Sequence, residues 1–170
     1  GDGFQMAMMK DVFISDTWMS CSDDCLPFFG SAERVVVTNC ILSSRWAALR
    51  FGPGGSGRFH DVTVSNCVIH DCFGCAVKMQ QVEGGIFEDM LFTNLVMDNV
   101  TGPISLRLAA WKGWMHELPG IPPVGVLRNV TFSHIRARVP ETSQPREYEV
   151  PHAPGELRQC MNLTGPPGHP

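Results

Sequence analysis

Three carboxylates near the start of the chain, Asp2, Asp23 and Asp24, have the residue types and spacing of an acid/base site. Asp2 and Asp23 stand 21 residues apart, and Asp24 follows directly. Carboxylates gathered within several ångströms push each other's pKa values apart, so one can hold a proton while another is ionised. That division of labour suits hydrolysis of a glycosidic bond, in which one carboxylic acid protonates the leaving oxygen while another activates water or attacks directly. An Asp-Asp pair is also a common solvated turn. The chemistry therefore rests on what brings the three side chains together.

Two residues 21 apart lie side by side if the chain returns on itself with about that period. Five segments share one template: residues 11–16, 34–39, 61–66, 89–94 and 129–134, starting 23, 27, 28 and 40 residues apart. In each, apolar residues alternate with others at period two, the strand pattern. A hydroxyl residue follows (Ser15, Thr38, Ser65, Thr93, Ser133), then usually Asn. A second strand series, residues 24–29, 47–52, 75–80 and 103–108, follows the first four. No stretch between them has a helical period. The expected fold is all-β, a parallel β-helix (solenoid) of about five coils with paired-strand spacing of ~4.8 Å. In it Asn39, Asn66 and Asn94 stack at one bend, where their amides are expected to bond along the column and satisfy buried turn backbone. Residues 109–128 are expected to leave the coil as an inserted loop, and 140–170 to form an irregular connection towards a further coil. The chain thus reads as one β-helix domain over 1–170, cut at both ends.

Composition agrees with this. The 170 residues are 44% hydrophobic and 18% charged, with net charge −4, which disfavours disorder and lacks the basic excess of a nucleic-acid binder. No window carries the ~18 apolar residues of a membrane helix. Seventeen Gly and 13 Pro imply frequent turns. Seven cysteines cannot all pair, and several fall in repeated apolar positions, as buried thiols would. Cys21, Cys25, Cys72 and Cys75 could in principle make a four-thiol zinc site. Yet 46 residues separate Cys25 from Cys72, and Cys25 and Cys75 fit strand positions, so no metal and no cofactor is expected.

The run Asp2-Gly3, then Ser22-Asp23-Asp24-Cys25 one coil later, resembles the polygalacturonase family, glycoside hydrolase family 28. The likeness continues through the Val-Thr-x-Ser-Asn-Cys repeats and residues 97–104. It implies a right-handed β-helix and an inverting glycosidase of pectin-type polysaccharide that cleaves galacturonosidic linkages. By position Asp23 is the general acid, and Asp2 with Asp24 activates water. Asp23 and Asp24, as neighbours in an extended chain, need a bend to share one cleft. The family's Gly-His-Gly falls on Arg45-Trp46-Ala47, so its histidine is absent. Its Arg-x-Lys falls on Lys78-Met79-Gln80, leaving one cation and one amide. Lys78, Gln80, Arg50, Trp46 and Arg45 are the expected substrate-binding residues, with Arg50 and Arg107 in comparable columns. Trp111 and Trp114, in the inserted loop, have rings suited to stacking on sugars. The resemblance also implies a polysaccharide partner, an extracellular or periplasmic location, and a monomer in full-length form, with no nucleic acid or membrane partner. The alternative is a non-catalytic polysaccharide-binding or adhesion β-helix, since the lost histidine and cation are what such a relative would show.

Overall fold

The computed structural model describes residues 1–52, 56–108, 124–140 and 161–164. Eleven strands run through them: β1 (Met6–Ser15), β2 (Trp18–Cys21), β3 (Leu26–Thr38), β4 (Ile41–Ser44), β5 (Ala47–Phe51) and β6 (Arg58–Cys72), then β7 (Cys75–Gln81), β8 (Ile86–Val100), β9 (Ile104–Leu108), β10 (Val126–Arg138) and β11 (Met161–Thr164). All their pairings are parallel, and each strand pairs with the equivalent segment one coil away. The template aligns as its sequence does: Val12, Val35, Val62, Met90 and Val130 form one column. Leu26, Leu49, Val77 and Ile104 form the corresponding column of the second series. The result is a right-handed parallel β-helix of about four turns. Five stacked template strands enclose four intervals, which is why the turn count falls one short of five.

Left-handed backbone at fixed positions makes the corners. The first template residue (Asp11, Arg34, Asp61, Asp89, Asn129) and the last (Asp16, Asn39, Asn66, Asn94, His134) all have φ between 51° and 56°. Asp and Asn tolerate this region better than most residues because their short side chains bond locally. Here the Asn amides bond along the column as expected, but at the surface. Asn39, Asn66 and Asn94 are exposed, and their amides bond side chains outside the coil: Asn94 Nδ2 donates to Asn66 Oδ1 at 2.7 Å, and Asn66 Nδ2 to Thr38 Oγ1 at 3.4 Å. They serve the bend through positive φ rather than by satisfying buried backbone.

Alternation along each strand sends one set of apolar side chains inward. Phe28 and Phe51 stack at 4.7 Å between ring centroids, and Phe59, Phe87 and Phe92 meet Phe51 edge-on. The expected buried thiols are there: Cys25, Cys40, Cys67, Cys72 and Cys75 are buried and Cys21 is half-buried, and none of these six is in a disulfide among the described residues. Cys40 and Cys67 each donate to the carbonyl two residues back, at 3.3 and 3.2 Å. Burial pushes the Cys67 thiol up to about 11 and Cys72 to about 12, which suits inert core residues.

Two boundaries differ from expectation. The inserted stretch 109–128 gives its last three residues to β10, and 161–164, expected within an irregular connection, form β11 against β9. Trp111, Trp114 and Cys160 lie outside the described residues. No helix among the described residues is long and apolar enough to cross a membrane.

Candidate active site

The two ends of one coil meet at the carboxylates. Asp2 precedes β1, Asp23 and Asp24 follow β2, and one oxygen from each of the three lies within 4.8 Å of the others. Backbone contacts explain the meeting. Gly3 N–H donates to Asp24 O at 2.9 Å and Phe4 N–H to Cys25 O at 3.0 Å, so the first coil rests directly on the second. A Cβ on Gly3 would lie 2.5 Å from Cys25 O, so the close approach at Asp2 requires glycine. The bend that Asp23 and Asp24 needed is present at Ser22–Asp23. It is closed by Asp24 N–H donating to Asp23 Oδ1 at 3.0 Å. Ser44, which the sequence reading did not single out, ties this bend to the next coil. Its buried hydroxyl donates to Asp23 O at 2.6 Å and accepts from Trp46 N–H at 2.8 Å.

The three carboxylates differ in surroundings. Asp2 and Asp23 are exposed, whereas Asp24 is 1% exposed. Both Asp24 oxygens are bonded: Oδ1 accepts from Ala47 N–H at 3.0 Å, Oδ2 from Arg50 Nη1 at 2.8 Å. Burial outweighs these contacts and pushes Asp24 up to about 6, with the charge of Asp23 adding to the rise and Arg50 opposing it. Asp2 is also raised, first by partial desolvation and then by Asp23, against the backbone N–H bond at Asp24 and the charge of Arg50. Like charges this close resist ionising together, and the result is a set of inequivalent carboxyls. As a metal site it is only an acidic cluster, and nothing in the structure assigns an ion to it.

The expected binding residues divide into two groups. Arg50 and Lys78 are register partners on β5 and β7, the next coil placing Ser105 there. Neither is a solvated outward charge: the Arg50 side chain is 15% exposed and Lys78 is buried, its Nζ 4.7 Å from the Trp46 ring centroid. Arg107 sits opposite Gln80, one outward position beyond Arg50 and Lys78, so it does not share the Arg50 column. Gln80 is half-buried on β7. Arg45 is exposed and lines an open cleft of about 400 Å³ with Ser20, Ser22, Ser43, Ser44, Asp71 and Phe73, beside the Asp23 bend. The structure thus gathers the three carboxylates, Arg50 and, through Ser44, the Trp46 backbone. Lys78 follows Arg50 along the ladder, and Gln80 lies further out.

The family model for glycosyl hydrolases family 28 matches residues 1–148, the span that contains the carboxylates and every template strand. The chain belongs to that family. A probable polygalacturonase of Arabidopsis thaliana is 26% identical over 143 residues, covering 79% of this chain and 31% of its own length. The Arabidopsis polygalacturonase QRT2 is 25% identical over 112 residues, covering 62% of this chain and 25% of its own. The chain therefore spans less than a third of either curated relative. No solved structure gives a significant match. Membership makes the chain kin to glycosyl hydrolases, and both relatives carry the name polygalacturonase.

Proposed function

We propose that this chain carries the catalytic corner of a polygalacturonase-like hydrolase that cleaves galacturonosidic linkages of pectin-type polysaccharide in carbohydrate metabolism. The convergence of Asp2, Asp23 and Asp24 within 4.8 Å, in a member of family 28, carries this reading. Asp23, exposed and held by its own bend, is assigned to protonating the leaving oxygen. Asp2 and Asp24 form the anionic side that activates water, in an inverting displacement. Inverting carboxyl pairs usually stand ~6.5–9.5 Å apart, wider than the 4.8 Å within which one oxygen of each carboxylate lies here, so the configuration of the product decides between inversion and retention.

The cleft beside Asp23 offers Ser20, Ser22, Ser43 and the Asp71 carboxylate to sugar hydroxyls, and Arg45 to a uronate carboxylate. Of the other residues expected to hold substrate, Gln80 is half-buried on β7 and Lys78 packs on the Trp46 ring. Cell-wall pectin is an extracellular polymer, so the proposed setting is secreted or periplasmic, with the protein acting as a monomer and without a cofactor.

A second reading, polysaccharide binding without cleavage, draws on one observation. Trp46 stands where the resemblance places the family's histidine and Gln80 where it places a second cation, so two residues of the cleaving pattern are replaced here.

Reducing-sugar release from polygalacturonate, followed by proton NMR of the anomer formed first, separates the possibilities. The proposal expects release with inverted configuration. Retained configuration would make one Asp a nucleophile. Binding without release would establish the second reading.

A further inference from the structure

Arg50 lies among the residues expected to hold substrate, but its bonding directs it inward. One nitrogen, Nη1, reaches Asp24 Oδ2 at 2.8 Å, and Nε reaches Gly52 O at 3.0 Å. The guanidinium carbon lies 5.9 Å from the Phe29 ring centroid, which helps fix its plane. With Ala47 N–H on Oδ1, Asp24 is bonded from two sides by β5 and is almost fully enclosed. Asp2 belongs to the same carboxylate set but is exposed and is bound by neither group.

We propose that Arg50 is a positioning residue: it fixes Asp24 as a buried anion and so leaves contact with the attacking water to Asp2. The inference rests on the hydrolase reading for its catalytic meaning, and on geometry alone for the Arg50–Asp24 hold. A carboxylate so enclosed has its bonding capacity directed into the protein, whereas Asp2 has an open side. Asp24 then contributes a fixed negative charge beside the cationic character that develops on the sugar ring, and Asp2 receives the proton from water.

The charged and titratable groups around Asp24 come from every neighbouring segment: Asp2 before β1, Asp23 on the same bend, Arg50 on β5, Cys72 at the end of β6, and Lys78 next to Arg50 along the ladder on β7. Arg50 is bonded to Asp24 through Nη1. Its removal therefore leaves burial and the charge of Asp23 unopposed by a direct ion pair.

The test follows the Asp24 carboxyl by carbon NMR in the whole chain, as the wild type, Arg50→Gln and Arg50→Lys, with kcat and KM on polygalacturonate measured across pH. Loss of a close opposite charge raises a carboxyl by about 1–3 pH units. Arg50→Gln is expected to move the Asp24 titration upward by that amount and to carry the acidic limb of kcat with it, with KM changing less than twofold, about the scale of noise for a group that does not touch sugar. Arg50→Lys keeps a charge that can reach Oδ2 and is expected to restore most of both. If Arg50→Gln fails to fold, Arg50→Lys against the wild type still decides, since a KM rise without a pH shift would mean that Arg50 binds substrate. An Asp24 titration that does not respond to Arg50→Gln would overturn the proposal. A shifted titration in a chain that cleaves no polymer would uphold the hold on Asp24 and refute the hydrolase reading.

Discussion

Two carboxylates are buried among the described residues, Asp24 and Glu88, and they titrate in opposite directions. Glu88 is bonded by Arg128 and Arg58, which hold it below the ordinary carboxylate range. Those two arginines are themselves 59% and 54% exposed, so Glu88 is covered by charge that water still reaches. Asp24 has one arginine, itself 15% exposed, and an acidic neighbour in Asp23. Low exposure therefore does not settle a carboxyl's state. The solvent wall spends cations on its anions and keeps them ionised, while at the corner the charge of Arg50 is shared between Asp2 and Asp24. Asp11 and Asp98 follow the wall pattern: Arg34 bridges both Asp11 oxygens, Arg138 bonds Asp98, and both carboxyls are lowered.

The largest effect is expected from the corner itself. Asp23→Asn removes the proposed proton donor and should lower turnover by about 10²–10⁴-fold with the fold intact by circular dichroism. Gly3→Ala attacks the placement rather than the chemistry. Its methyl would strike Cys25 O and displace Asp2, a shift on the scale that costs about a hundredfold in turnover. Core packing should change little beyond the first coil, which amide NMR would show.

The comparison also predicts how stability depends on pH. The folded-state value of Asp24 lies above its ordinary 3.8, at about 6, so between those values the folded protein binds more protons than the unfolded chain. Its contribution to stability is therefore lost as pH rises through that window, and Asp2, also raised, acts in the same sense. Asp11, Asp98 and Glu88 are lowered, so their contribution is present at neutral pH and disappears only in more acidic solution. The melting temperature should be higher near pH 5 than near pH 7, and Asp24→Asn should flatten that difference. Removing both Arg58 and Arg128 as glutamines should raise the Glu88 titration towards its ordinary value and beyond, which carboxyl NMR would follow. The smallest effect belongs to Arg34→Gln. An exposed pair on the outer wall contributes little, and the melting curve should be almost unchanged.

Much of this architecture is legible in the sequence because each coil repeats the same physical problem. The period-two pattern aligns Val12, Val35, Val62, Met90 and Val130, and the structure pairs those residues. The 21-residue spacing of Asp2 and Asp23 signals their meeting. Less legible is what depends on side-chain reach. The Arg50–Asp24 pair joins residues 26 apart, and only the register of β3 against β5 shows that a side chain on one can reach the other. The wall pairs had a signal that could have been read: the column Asp11, Arg34, Asp61, Asp89, Asn129 mixes anions with a cation and an amide that bond between coils. The Asn column was seen, but its left-handed backbone is set by the corner and not by burial. β11 carries none of the template, so its place beside β9 follows from pairing alone.

The most direct test pairs two substitutions that each remove one carboxylate charge, Asp23→Asn at the corner and Asp11→Asn on the wall, and measures reducing-sugar release from polygalacturonate by the whole chain. The account predicts that release is lost in Asp23→Asn and kept in Asp11→Asn. Release that survives Asp23→Asn, or falls equally in both, would contradict it.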